Sequence, residues 1–417
     1  MSNIVKFQNY LKKNNFDYFF INRTDEFLNE YIAPYAERLK WLTGFSGSAG
    51  RAIISKSSTL LFVDGRYTFQ SKKEVNGKEV TIKHLNDYWQ NVNKLTKLKV
   101  RIALDNRLHS INEIYKLENL FRKSQSSIVY LNYNPIDELW IKKPAYPNSK
   151  IFDHPLRFSG KSRNKKINNF QSYLRKKNIN YYILSSLDSI AWLLNIRGND
   201  IEHTPLAFAY LLIPNKGKLI LFCSINKIEK NLFNQIKNLC ILKKFKDIEE
   251  VFKGFSQSKL VGMDYNNTPN YFKDLSNKNG LLTRNLTNPI ILLKAIKNVI
   301  ELRGAKKANI RDGVSIVKFI YWLKKIKDLS QVTELKVAKY LYKLRKKNKL
   351  FYSLSFDTIS AVGHHSALPH YRVTKNTDIK LKKNNIYLVD SGGQYKDGTT
   401  DITRTIILGN SDEEKKD

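Results

Sequence analysis

Cysteine is nearly absent: the 417 residues hold two, Cys223 and Cys240, each beside apolar neighbours. That excludes a small disulfide-stapled scaffold and fits buried free thiols in a reduced compartment, so the cytoplasm is the expected location. Long apolar runs are missing too. No stretch approaches the roughly 18 consecutive apolar residues of a membrane helix. The opening MSNIVKFQNYLKKNN lacks the apolar core and small-residue cleavage site of a signal peptide and reads as an amphipathic first helix. Acidic residues are the third shortage: 37 against 72 basic ones, a formal net charge of +35. Such a balance first suggests an anionic partner such as nucleic acid. The lysines, however, are scattered through every segment among Asn, Ile, Phe and Tyr, with no nucleic-acid motif beside them. Clusters such as Lys343-Leu344-Arg345-Lys346-Lys347 fit a helix end, where cations are favoured. Nucleic acid is therefore not the expected partner, and neither is a membrane.

What is present is core material. With 42% hydrophobic and 12% aromatic residues the chain can bury substantial cores, and its length suits two or three domains. Residues 1–150 alternate helix and strand: a helix over 5–13, a strand over 18–21, another over 60–63 and a turn at Asp64-Gly65. Two prolines, Pro144 and Pro147, then break the pattern. Residues 151–288 repeat the order, with helices over 165–177 and 187–195 and strands over 181–184, 206–213 and 219–224. The shared opening and similar length suggest duplication of one α/β unit. GFSGSAG at 44–50 is neither a nucleophile elbow, since Ser48 stands where glycine is needed, nor a phosphate loop. Asp200 and His203 read as a polar loop capping the next strand, with no chemistry assigned. Residues 289–417 open on a helix over 302–324, with Ile310, Val314, Val317, Ile320, Tyr321 and Leu323 near one face. A second helix over 334–344 starts at Thr333, a good N-cap.

The most informative stretch is IYLVDSGGQYKDGTTDITRTIIL, 386–408. An apolar strand delivers Asp390, a turn follows, and a second strand alternates Asp401, Thr403 and Thr405 on one face with Ile402, Arg404 and Ile406 on the other. Paired as a hairpin, the strands bring Asp390 and Asp401 to one point. Two adjacent carboxylates repel unless neutralised, and a divalent metal with hard oxygen ligands is one answer. Solvated polar ends on an ordinary hairpin, with Asp397-Gly398 as its turn, is the other.

VDSGGQYKDGTTDITRT resembles the first metal-ligand segment of aminopeptidase P (Xaa-Pro aminopeptidase), in the creatinase-like, pita-bread metallopeptidases. The resemblance implies that Asp390 binds one divalent ion and Asp401 bridges two, manganese first with zinc or cobalt as alternatives; Asp397 stays a turn residue. EYIAP, RLKWLTGFSGSAG and FVDGRYTFQ are similar to the amino-terminal domain of the long, three-domain cytosolic form, in which the arginine matching Arg66 reaches the bound peptide. SSLDSIAWLLNIRGNDIEHTPLAFAY resembles the second domain, and ELRGAKKANIRDGVSIVKFIYWL the opening helices of the catalytic domain. LPHYRV resembles the segment whose histidine contacts the peptide near the scissile bond, which makes His370 catalytic and substrate-binding. His364 and His365 depart from the family, where small or amide residues are usual, and carry no ligand role.

The implied fold is α/β: two creatinase-amino-terminal-like α/β domains, 1–150 and 151–288, then the first half of a pita-bread domain, 289–417. The implied reaction releases the first residue from peptides with proline second, by a homodimer. The family draws its remaining ligands from a later histidine and two glutamates. Sixteen residues follow Asp401, with no histidine, and Glu413 and Glu414 sit where the family only enters its next helix. A fragment or early-terminated chain, inactive alone, is the expectation. The alternatives are a metal-free peptide-binding module of the same fold, or a prolidase relative.

Overall fold

β-branched and aromatic runs build two six-stranded sheets before residue 290. A computed structural model describes residues 1–410. The first sheet contains β1 (Tyr18–Asn22), β2 (Gly50–Ser55), β3 (Thr59–Val63), β4 (Thr81–His84), β5 (Arg101–Asp105) and β6 (Ser127–Leu131), in the order β4-β3-β2-β1-β5-β6. β2 runs antiparallel to β1 and β3, and every other pairing is parallel. The second contains β7 (Tyr181–Leu184), β8 (Tyr210–Pro214), β9 (Leu219–Phe222), β10 (Cys240–Lys243), β11 (Leu260–Met263) and β12 (Leu282–Asn285), in the order β10-β9-β8-β7-β11-β12. Its directions repeat those of the first sheet strand for strand. The two segments thus share one strand order, consistent with the repeated helix–strand order in the sequence.

Helices cover both faces of these sheets, which is why the central strands are apolar without alternation. α1 (Asn3–Lys13) starts two residues before the expected helix because the Ser2 hydroxyl accepts from Val5 N, and it buries Ile4, Phe7 and Leu11. Phe27 and Tyr35 from the first segment pack with Phe208, Tyr210 and Phe272 from the second. That shared aromatic core joins both sheets into one compact unit, Met1–Asp153 with Arg163–Ile201 and Leu206–Ala295.

The second unit gathers His154–Ser162, Glu202–Pro205 and the chain from Ile296 onward. α2 (Val299–Lys325) begins with a capping box: the Asn298 side chain accepts from Ile300 N and Glu301 N, and the Glu301 carboxylate accepts from Asn298 N. α3 (Glu334–Lys346) is capped by Thr333, as expected. Two small antiparallel sheets pair with these helices. One has the order β13-β16-β17, from β13 (Phe351–Leu354), β16 (Gly393–Tyr395) and β17 (Gly398–Thr399). The other has the order β14-β15-β18, from β14 (Ile359–Val362), β15 (Asn385–Ser391) and β18 (Ile402–Leu408).

The face assigned to α2 needs correction. Ile310 (71% exposed), Val314 (48%), Val317 (66%) and Tyr321 (66%) face outward. The buried side carries Gly304, Ala308, Asp312, Ser315, Ile316, Phe319 and Leu323. Contact distance decides this, not hydrophobicity. A Cβ on Gly304 would lie 2.2 Å from Asp397 O, so only the small-residue face admits the turn that approaches it. Among the described residues no helix is long and apolar enough to cross a membrane.

Candidate active site

The β15–β18 register sets the site. Asp390 lies opposite Thr403 and Ser391 opposite Ile402. Side chains alternate along a strand, so Asp390, Thr403 and Asp401 share one face. The other face carries Tyr387, Val389, Ile406 and Leu408 into a core with Ile316, Phe319 and Leu323 of α2 and Val337 and Leu341 of α3. Asp401 is the diagonal neighbour of Asp390, within side-chain reach across antiparallel strands. Partial burial and then the neighbouring Asp390 carboxyl, which hydrogen-bonds it, hold the Asp401 carboxyl above its usual range. Asp390 Oδ1 is buried without a hydrogen-bond partner. A buried, unpaired carboxylate oxygen beside a second carboxyl is what a hard divalent cation would satisfy, so the residues present fit such an ion.

Between the two strands the chain makes a second hairpin, β16–β17, where the sequence suggests only a polar connection. Gly392 permits it: a Cβ there would fall 1.9 Å from Thr400 O and 2.2 Å from Ser355 Oγ. Arg311 of α2 grips the tip, donating to both Asp397 oxygens at 3.0 and 2.9 Å. Deeper in, Asp312 is a hub. Arg345 of α3 donates to it from Nε and Nη2 at 2.7 and 2.9 Å, both residues being fully buried. Tyr395 OH and Thr400 Oγ1 donate to the same carboxylate at 2.7 and 3.0 Å. Burial raises the Asp312 pKa, but these donors, Arg345 first, override it and leave the carboxyl below its usual range. Thr400 immediately precedes Asp401, so Asp312 fixes the chain at the candidate ligand.

Glu334, the first residue of α3, organises the loop bearing His370. Its carboxylate accepts from Val362 N (2.7 Å) and Tyr371 OH (2.9 Å) and pairs with His365 Nδ1 (3.0 Å). His365 is thus a buried anchor, while His364 is exposed against its ring. His370 is exposed, beside the anchored Tyr371. Arg66 lies in the other unit, exposed, its Nε donating to Asp64 at 3.0 Å. Neither Asp312 nor Glu334 stands out in the sequence as a site residue. The available signal was a carboxylate placed among small or apolar positions of a helix face, which demands a buried cation or donor set.

Comparison with known proteins follows these elements. Residues 4–131 and 142–301 each match the creatinase/prolidase N-terminal domain, and 303–417 match metallopeptidase family M24. A probable Xaa-Pro aminopeptidase P of Paracoccidioides lutzii is 33% identical over 426 residues, which cover 97% of this chain and 69% of that protein. Its counterpart in Aspergillus fumigatus is 33% identical over 431 residues, 99% of this chain but 65% of its own length, so the chain spans about two thirds of such relatives. Among solved structures, the X-prolyl aminopeptidase of Caenorhabditis elegans, described as a cytosolic enzyme with a di-nuclear active site, superimposes with a TM-score of 0.89. It is 27% identical, and the match covers 96% of this chain and 67% of that one.

Proposed function

The chain belongs to the Xaa-Pro aminopeptidase P family of M24 metallopeptidases, and from that premise we propose that the protein releases the first residue from peptides whose second residue is proline. The single observation that carries this is the Asp390–Asp401 carboxyl pair on the outward face of the hairpin, with one buried oxygen unsatisfied. Asp390 and Asp401 would hold a pair of divalent ions, a number that the di-nuclear description of the worm enzyme supports, and manganese is the ion we propose. Such ions lower the pKa of bound water and polarise a carbonyl. The residues of the chain do the rest. Thr400, held by Asp312, keeps Asp401 facing Asp390, and Glu334 fixes the loop that offers His370 as a hydrogen-bond partner to the peptide. Arg66 contributes to peptide binding. An Xaa-Pro bond has no N–H, so a site that demands that donor rejects it, and selectivity falls to whatever accepts the ring.

Asp390 and Asp401 are the two metal ligands that the family resemblance assigns to this chain. The chain spans about two thirds of the length of its relatives, and the activity is proposed for the protein as a whole. We place it in the cytoplasm as a homodimer, with domains at 1–150, 151–288 and 289–417. The test compares hydrolysis of Xaa-Pro and Xaa-Ala peptides by the whole protein with manganese and with a chelator. Cleavage confined to Xaa-Pro and abolished by the chelator is expected. Chelator-resistant cleavage, or none, contradicts the proposal and favours a metal-free binding module.

A further inference from the structure

Asp200 and His203 are close in sequence, yet the fold gives them separate tasks. Asp200 is buried and accepts from Lys227 Nζ at 3.0 Å, Ser149 Oγ at 2.8 Å and Phe208 N at 2.8 Å. His203 belongs to the other unit, where its Nε2 stands 3.0 Å from Asp357 Oδ1 and 3.8 Å from Glu202 Oε1. One donor atom from each of Glu202, His203 and Asp357 lies within 4.8 Å of the others. Arg372 Nη2 grips the second Asp357 oxygen at 2.7 Å, and Gln394 Nε2 donates to the His203 carbonyl at 3.1 Å.

We propose that Glu202, His203 and Asp357 form a binding site for one divalent transition-metal ion, zinc in preference, separate from the carboxylate pair. The donor set is the first argument. An imidazole with two carboxylate oxygens is a three-ligand zinc site with the fourth position open to water, whereas calcium and magnesium ask for more oxygens and no nitrogen. Spacing is the second. With metal–ligand bonds of about 2.0–2.2 Å, tetrahedral donors stand roughly 3.3–3.5 Å apart. The two distances to His203 Nε2, 3.0 and 3.8 Å, bracket that range, and all three donor atoms lie within 4.8 Å of one another, so the exposed Glu202 arm is the one that would close on an ion. The third argument is preorganisation. His203 is only 16% exposed, and Arg372 occupies Oδ2 of Asp357, which leaves Oδ1 aimed at the imidazole. That is the outer partner a ligating carboxylate usually has. Glu202 is 72% exposed and supplies the mobile third ligand. Ile359, two residues past Asp357, pairs with Asp390 across β14 and β15, so an ion here would secure the strand end beside the carboxylate pair.

The competing reading is a plain hydrogen-bond tether between His203 and Asp357. Zinc titration of the 417-residue chain carrying Asp390→Asn and Asp401→Asn separates them, because the other candidate site is then removed. One zinc per chain is expected, with affinity reduced about 100-fold by His203→Ala and roughly 10-fold by Arg372→Gln. His203→Cys should recover zinc binding, since a thiolate ligates zinc but does not restore the tether. Cobalt in place of zinc should show the absorption of a low-coordinate site, and His203→Ala should abolish it. Equal zinc affinity in the parent and His203→Ala, or no stoichiometric zinc in the parent, overturns the proposal. So does a His203→Cys variant that keeps its thermal midpoint and binds no zinc.

Discussion

Asp401 is the residue on which structure and chemistry pull in opposite directions. Its carboxyl lies above the usual range because of partial burial and because Asp390 is beside it. A carboxyl whose pKa is higher folded than unfolded disfavours the fold once it ionises. The penalty is absent below the ordinary value of 3.8, grows as pH rises through the raised value, and is complete above it. Asp401→Asn should therefore raise the thermal midpoint of the metal-free chain at neutral pH and leave it unchanged under strongly acidic conditions. Divalent cations should then stabilise the parent chain but not the variant. An unchanged midpoint at neutral pH would show that Asp401 is an ordinary solvated strand residue, and a lower one that its charge stabilises the fold. Both aspartates were legible in the sequence, because alternation alone puts Asp401 and Thr403 on one face. The partners of His203 were not, since Asp357 is 154 positions away and nothing local links them.

At the scale of elements, strand pairing was legible and helix orientation was not. The β15–β18 hairpin follows from its apolar alternation, whereas the β16–β17 excursion was hidden in a glycine-rich segment whose strands are three and two residues long. α2 misled because it is apolar on two sides, and the true inner side is the one with glycine, alanine, serine and a carboxylate. Its centre is the Asp312–Arg345 pair, buried on both partners. Removing one member of such a pair leaves an uncompensated buried charge, at a cost of about 3–5 kcal/mol. Asp312→Asn should thus destabilise the second unit by that order in a denaturant titration. It should also weaken divalent-ion binding at Asp390 and Asp401, because Thr400 loses its acceptor charge. Loss of stability with unchanged ion binding would separate the hub from the site.

Over the whole molecule, the two sheets with one strand order show why a helix–strand repeat was visible without any motif: the same local order had to be encoded twice. The merging of both sheets into one unit was not visible, since it depends on Phe27 and Tyr35 meeting Phe208 and Tyr210. The net charge of +35 likewise has no single locus, and basic residues serve as buried partners, as Arg345 and Lys227 do. The proposed function rests on a smaller feature than any of these, the paired carboxyls of one hairpin. The most direct check is electron paramagnetic resonance of manganese titrated into the 417-residue chain, with Asp390→Asn, Asp401→Asn and His203→Ala compared against the parent. His203→Ala should quench the free-ion signal nearly as the parent does, while Asp390→Asn and Asp401→Asn should lose most of that quenching and keep at most what the His203 site contributes. Equal quenching by all four proteins would contradict the assignment of these two aspartates as metal ligands.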